Sequence, residues 1–81
     1  MRVRVQFFSR LKDIVGSSEF DQEVAEGGTI ATLLEDLYTG HPELRAWDKS
    51  ILVGAGVEFV DRDYVIKTDD EIAIMPPVQG G

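Results

Sequence analysis

Met1, Val3, Val5 and Phe7 alternate with Arg2, Arg4, Gln6 and Phe8. A period of two predicts a strand with one buried face. Leu11, Ile14 and Val15 follow at helical spacing, with Ser9 placed to cap a short helix and Gly16 to end it in a left-handed turn. Phe20, Gln22 and Val24 predict a second strand, returning as a hairpin. Gly27 and Gly28 then break the chain. Thr29 is a good N-cap for the strongest helical pattern: Ile30, Leu33, Leu34, Leu37 and Tyr38 fall on one stripe, while Thr32, Glu35 and Asp36 face away. Gly40 and Pro42 end that helix.

The second half reads as strands and turns. Residues 43–50 are expected to be a loop containing Trp47. Ile51 to Val53, continuing toward Val57, reads as one buried strand that holds Gly54 and Gly56. Phe59 and Val60 lead into the polar turn Asp61-Arg62-Asp63, and Tyr64 to Ile66 form a short extended piece. After Lys67-Thr68-Asp69-Asp70, the last strand covers Glu71 to Met75. Ile72 and Ile74 lie on one of its faces, and Ala73 and Met75 on the other. Pro76 and Pro77 stop it, because neither can donate a ladder hydrogen bond. One amphipathic helix needs one sheet to cover it, so the expected architecture is α+β. It is a mixed sheet packed on one main helix, with the first and last strands parallel and adjacent: a β-grasp. A single domain over residues 1–75 is followed by an extended, flexible segment, 76–81.

Composition narrows the chemistry. With 81 residues, a deep substrate pocket would compete with the core for the same apolar side chains. The absence of cysteine excludes disulfides, thiolate nucleophiles and iron–sulfur ligation. A net charge of −7 repels phosphate backbones, and Arg2, Arg4, Arg10 and Lys12 are a thin basic cluster, so no nucleic-acid partner is expected. No apolar run is long enough to span a membrane, which leaves no membrane partner and a cytoplasmic location as the expectation. Asp61, Asp63, Asp69, Asp70 and Glu71 lack metal-ligand spacing and read as turn chemistry, so no metal is expected. His41 reads as a helix-end surface residue, and Ser9 has no His–Asp companions.

The ending Pro76-Pro77-Val78-Gln79-Gly80-Gly81 carries more. A Gly-Gly end arises by composition in about one chain in two hundred; its place after two prolines and a final strand adds weight. The prolines hold the exit extended. Glycines pass through channels too narrow for a β-carbon. Alternation also puts Phe8 and Met75 on the outer face of the sheet, where parallel first and last strands would bring them together as a partner interface.

The run Val5-Gln6-Phe7-Phe8-Ser9-Arg10-Leu11-Lys12-Asp13-Ile14-Val15-Gly16 and the ending from Asp70 to Gly81 resemble the small subunit of molybdopterin synthase, among the ubiquitin-like sulfur carriers. Where that family often has an aromatic residue before the two prolines, this chain has Met75, which still fills an apolar pocket. The resemblance implies that Gly81 is adenylated by an E1-like enzyme using ATP and magnesium, with no cofactor bound by this chain. A sulfur donor protein then makes the thiocarboxylate. The segment Pro76, Pro77, Val78, Gln79, Gly80 enters the large catalytic subunit, and sulfur passes to cyclic pyranopterin monophosphate. Alternatives are a protein modifier joined to lysines through Gly81, a sulfur carrier for thiamine or another thiolated product, and a non-catalytic β-grasp interaction module.

Overall fold

The computed structural model describes residues 1–77; the expectations for Val78, Gln79, Gly80 and Gly81 lie outside the described residues. Strand β1 (Arg2–Phe7) leads to the short helix α1 (Arg10–Val15), strand β2 (Glu19–Glu23) and the main helix α2 (Ile30–Gly40). A 3-10 helix over Pro42–Trp47 precedes β3 (Leu52–Ala55), β4 (Glu58–Val60) and β5 (Glu71–Met75). The sheet order is β2-β1-β5-β3-β4. β1 and β5 run parallel in the centre with Val5 opposite Ile72 and Phe7 opposite Ile74; the other pairs are antiparallel. This is the β-grasp arrangement, with the parallel central pair the alternation pattern required.

One face of the sheet packs on α2. Val3, Val5 and Phe7 from β1, Val53 from β3, and Ile72 and Ile74 from β5 meet Ile30, Leu33, Leu34, Leu37 and Tyr38, all buried. The helix begins where Thr29 caps it: the Thr29 hydroxyl accepts from the Thr32 N–H at 3.3 Å, and Thr32 Oγ1 accepts from the Thr29 N–H at 2.9 Å. Two more N–H donors of the first turn, on Ile30 and Ala31, reach the carbonyls of Tyr64 and Arg62 at 3.0 Å. The stretch 62–66 thus satisfies a helix end that would otherwise need water. Among the described residues no helix is long and apolar enough to cross a membrane.

Three expectations are corrected. Ser9 precedes α1 but makes no capping bond, because its backbone sits at φ 52°, ψ −131°, which points the hydroxyl away from the helix. Gly16, at φ 78°, does end α1 as expected, and its N–H reaches the Lys12 carbonyl. Residues 43–50 are not a plain loop: Pro42, with φ fixed and no N–H to lose, starts a 3-10 turn that buries Leu44. The strand from Ile51 does not run to Val57. It stops at Ala55, and Gly56 at φ 63° turns the chain through Val57 into β4 as a two-residue hairpin. Phe59 and Val60, read as a lead-in to a turn, are therefore an edge strand.

Candidate functional site

The two faces of the sheet differ sharply in chemistry. On the outer face, the β1–β2 half is a ladder of charges: Arg2 lies near Glu23, and Arg4 reaches both Glu19 and Asp21. Arg2 and Arg4 are thereby neutralised and form no basic patch. The β5–β3–β4 half is apolar. Ala73 and Met75 on β5 lie beside Leu52 and Gly54 on β3, and Gly54 pairs with Phe59 on β4. A β-carbon on Gly54 would sit 3.5 Å from Met75 Cε, so glycine here leaves Met75 room to lie across the strand.

Phe8 completes this surface. Its N–H bonds to the Ile74 carbonyl at 3.2 Å, which carries the parallel pairing one step past β1. The chain then reverses at Ser9, closed by a bond from the Leu11 N–H to the Phe8 carbonyl at 3.1 Å. A first central residue at φ 52°, ψ −131° is the geometry of a type II′ turn, which glycine normally occupies. The reversal leaves the Phe8 ring on the outer face, 44% exposed.

Phe8 and Met75 separate two grooves. The larger, about 780 Å³, is lined by Phe8, Ser9, Arg10, Trp47, Met75, Pro76 and Pro77, and so surrounds the point where the chain leaves the sheet. The smaller, about 220 Å³, runs along Phe8, Ala73, Met75, Gly54 and Phe59 to the β3–β4 turn. Alternation alone places Phe8 and Met75 on one face, and the structure brings them into both grooves. It adds Phe59, 72% exposed, and Trp47, neither of which was assigned to the site from sequence. The signal for Phe59 was available: Val60 faces the core, so its neighbour must face out.

Trp47 is held by a polar clip on the next residue. Asp48 Oδ1 accepts from the Tyr38 hydroxyl at 2.6 Å and from Arg62 Nη1 at 3.1 Å, and Arg62 Nη2 also donates to the Asp48 carbonyl. Arg45 stacks over the Tyr38 ring at 5.0 Å. Burial, then the bond to Asp48, pushes the Tyr38 hydroxyl well above its ordinary value. The bonds from Tyr38 and Arg62 hold the Asp48 carboxyl below its own.

The remaining candidates serve the fold. Asp61 accepts from the Asp63 N–H at 3.0 Å, and Asp70 from the Tyr64 hydroxyl and the Lys67 N–H at 2.8 Å, as turn residues do. Among the described residues no cluster of acids and histidine could hold a metal ion. His41 stacks on Phe20 with ring centroids 6.1 Å apart and lines neither groove. The grooves therefore offer an apolar, open surface with no histidine, carboxylate pair or cation cage converging on one point. Such a surface can seat another protein around the exit of the chain; it has no set of groups for acid–base chemistry of its own.

Comparison with known proteins agrees with this geometry along the whole chain. A molybdopterin synthase sulfur carrier subunit from Chlamydomonas reinhardtii is 30% identical over all of both chains. Among solved structures, SAMP1 from Haloferax volcanii, a small archaeal modifier protein, superposes with a TM-score of 0.84 at 27% identity over all of both chains. The Helicobacter pylori complex of subunits 1 and 2 of the molybdopterin-converting factor contains a chain of the same fold, with a TM-score of 0.71 at 23% identity over all of both chains. The ThiS family model matches residues 5–81, from the first strand through the Gly-Gly end, and the chain belongs to that family.

Proposed function

We infer that this chain is the sulfur-carrying small subunit of a molybdopterin synthase, working through its terminal carboxylate. The observation that carries the reading is the surface at the chain's exit: Phe8, Met75, Pro76 and Pro77 border one open groove, and no catalytic set accompanies them. The family and the name of the Chlamydomonas relative support the same reading.

A carboxylate is a poor electrophile. An E1-like partner makes the Gly81 carboxylate an acyl-adenylate, with ATP as its substrate, magnesium as its ion and pyrophosphate as the leaving group. A sulfur donor protein attacks the acyl carbon and expels AMP, and release from the donor leaves a thiocarboxylate. In the large catalytic subunit, the thiocarboxylate sulfur attacks carbon of cyclic pyranopterin monophosphate. Hydrolysis of the resulting thioester leaves sulfur on the pterin and returns the carboxylate. This chain contributes the reach of the segment 76–81 and an apolar seat at Phe8 and Met75, while the catalytic side chains belong to the partners.

The decisive experiment is reconstitution of the thiocarboxylate form with a large subunit and cyclic pyranopterin monophosphate. Dithiolene product is expected, and deletion of Gly81 is expected to abolish it. Product formed equally well without Gly81 would overturn the reading. The likeness to SAMP1 supports a second role, conjugation of Gly81 to lysines. That role predicts isopeptide-linked species of higher mass in cells, which deletion of Gly81 removes.

A further inference from the structure

The groove at the chain's exit is not wholly apolar: its polar members are Ser9 and Arg10. Two independent features set them apart. Arg2, Arg4, Arg45 and Arg62 each lie within 4.0 Å of a carboxylate of this chain, whereas Arg10 meets none among the described residues. In a chain of net charge −7, carboxylates are plentiful, so an unmatched arginine at this point is a departure from the rest of the surface. Ser9 occupies a backbone region that favours glycine, yet its hydroxyl neither caps α1 nor takes part in any other hydrogen bond among the described residues. A serine held in strain without an internal use has its use outside the molecule.

We propose that Ser9 and Arg10 form a polar latch for a carboxylate side chain on the rim of the partner protein that takes up the C-terminal segment. The inference rests on the carrier reading above. The alternative anion would be a phosphate at the reacting end, on the adenylate or on the pterin. Length decides between them. Four residues separate Pro77 from the terminal carboxylate, an extended reach of about 13 Å. With that segment inserted, the phosphates lie at the far end of the channel, while Ser9 and Arg10 stay at its mouth beside Pro76, Pro77 and Trp47. A planar guanidinium donates two parallel bonds to a carboxylate, and the adjacent hydroxyl can donate a third. Phe8 and Met75 then supply the apolar contact next to the latch, which lowers water access to it.

The test is calorimetric titration of the full chain into the large catalytic subunit, with Arg10→Met, Ser9→Ala, Ser9→Gly and Phe8→Ala measured beside the parent. Arg10→Met is expected to weaken binding roughly tenfold at about 0.05 M salt and by less than threefold at about 0.5 M, because screening already weakens the parent. Ser9→Ala should weaken it about threefold with an unchanged melting temperature. Ser9→Gly should weaken it similarly while raising the melting temperature by several degrees, since glycine relieves the φ 52° strain. All three positions are exposed, so melting curves separate lost docking from lost folding. If Phe8→Ala weakens binding but Arg10→Met and Ser9→Ala do not, the latch is refuted and the carrier reading survives. If the folded parent does not bind the large subunit, both fall together.

Discussion

Replacing Phe59 with alanine separates docking from folding more cleanly than any change at the exit itself. The ring lies on edge strand β4 with 72% of its surface exposed, so its removal opens no cavity in the core. A phenylalanine presents roughly 200 Å², which leaves about 140 Å² of Phe59 in water. If a partner covers half of that, the burial contributes about 1.8 kcal/mol at ~25 cal/mol per Å², a factor of about 20 in Kd. The expected result for Phe59→Ala is therefore a 5- to 50-fold weaker complex with the large subunit and a melting temperature within about two degrees of the parent. Val65 is a matched control. It is also apolar and half exposed, but it pairs with Thr29 beside the start of α2, and it borders neither groove. Val65→Ala should leave the affinity unchanged. An unchanged Kd for Phe59→Ala, or equal losses at Phe59 and Val65, would refute the assignment of the β5–β3–β4 outer face as the docking surface.

Two further outcomes concern the scaffold. Ile72 is fully buried in the central strand, between β1 and β3; Ile72→Ala should cost about 2–5 kcal/mol, seen as a large drop in denaturation midpoint followed by Trp47 fluorescence. Asp48 is held below its ordinary value by Tyr38 and Arg62, so its contribution to stability is complete above the unfolded carboxylate pKa of about 4 and is lost as pH falls through the lower folded value. The melting temperature of Asp48→Asn should lie below that of the parent at neutral pH and converge on it below about pH 3; a gap that persists at the lowest pH would contradict the charge-assisted clip.

Periodicity made the core and the topology legible, since Val3-Val5-Phe7 and Ile72-Ile74 could bury their side chains in only one way around the Ile30–Tyr38 stripe. It also put Phe8 and Met75 on the outer face, because one residue of offset flips a strand position to the other side. It failed where backbone geometry rather than side-chain pattern rules. The apolar run from Ile51 conceals a hairpin, because Gly56 turns the chain and leaves Val57 wholly exposed. Ser9 has the composition of a cap but the dihedrals of a turn. Trp47 sits in a segment without period two or 3.6, and its place beside Pro76 and Pro77 depends on a clip from residues 38 and 62, which no local pattern reveals.

The central pairing of β1 with β5 also bears on how the protein is made. Its two strands are roughly 70 residues apart, against about 15 for the β1–β2 hairpin; loop closure alone makes it harder by about 1.3 kcal/mol. Neither β1 nor β3 has its central neighbour until Met75 has been synthesised. During translation the N-terminal half must therefore wait, with Val3, Val5 and Phe7 lacking half their packing. A ribosome that stalls before residue 71 releases a chain that cannot close its sheet and is open to proteolysis. Completion of the body thus reports that synthesis has come within a few residues of the segment that carries the chemistry, and quality control can discard carriers that lack it.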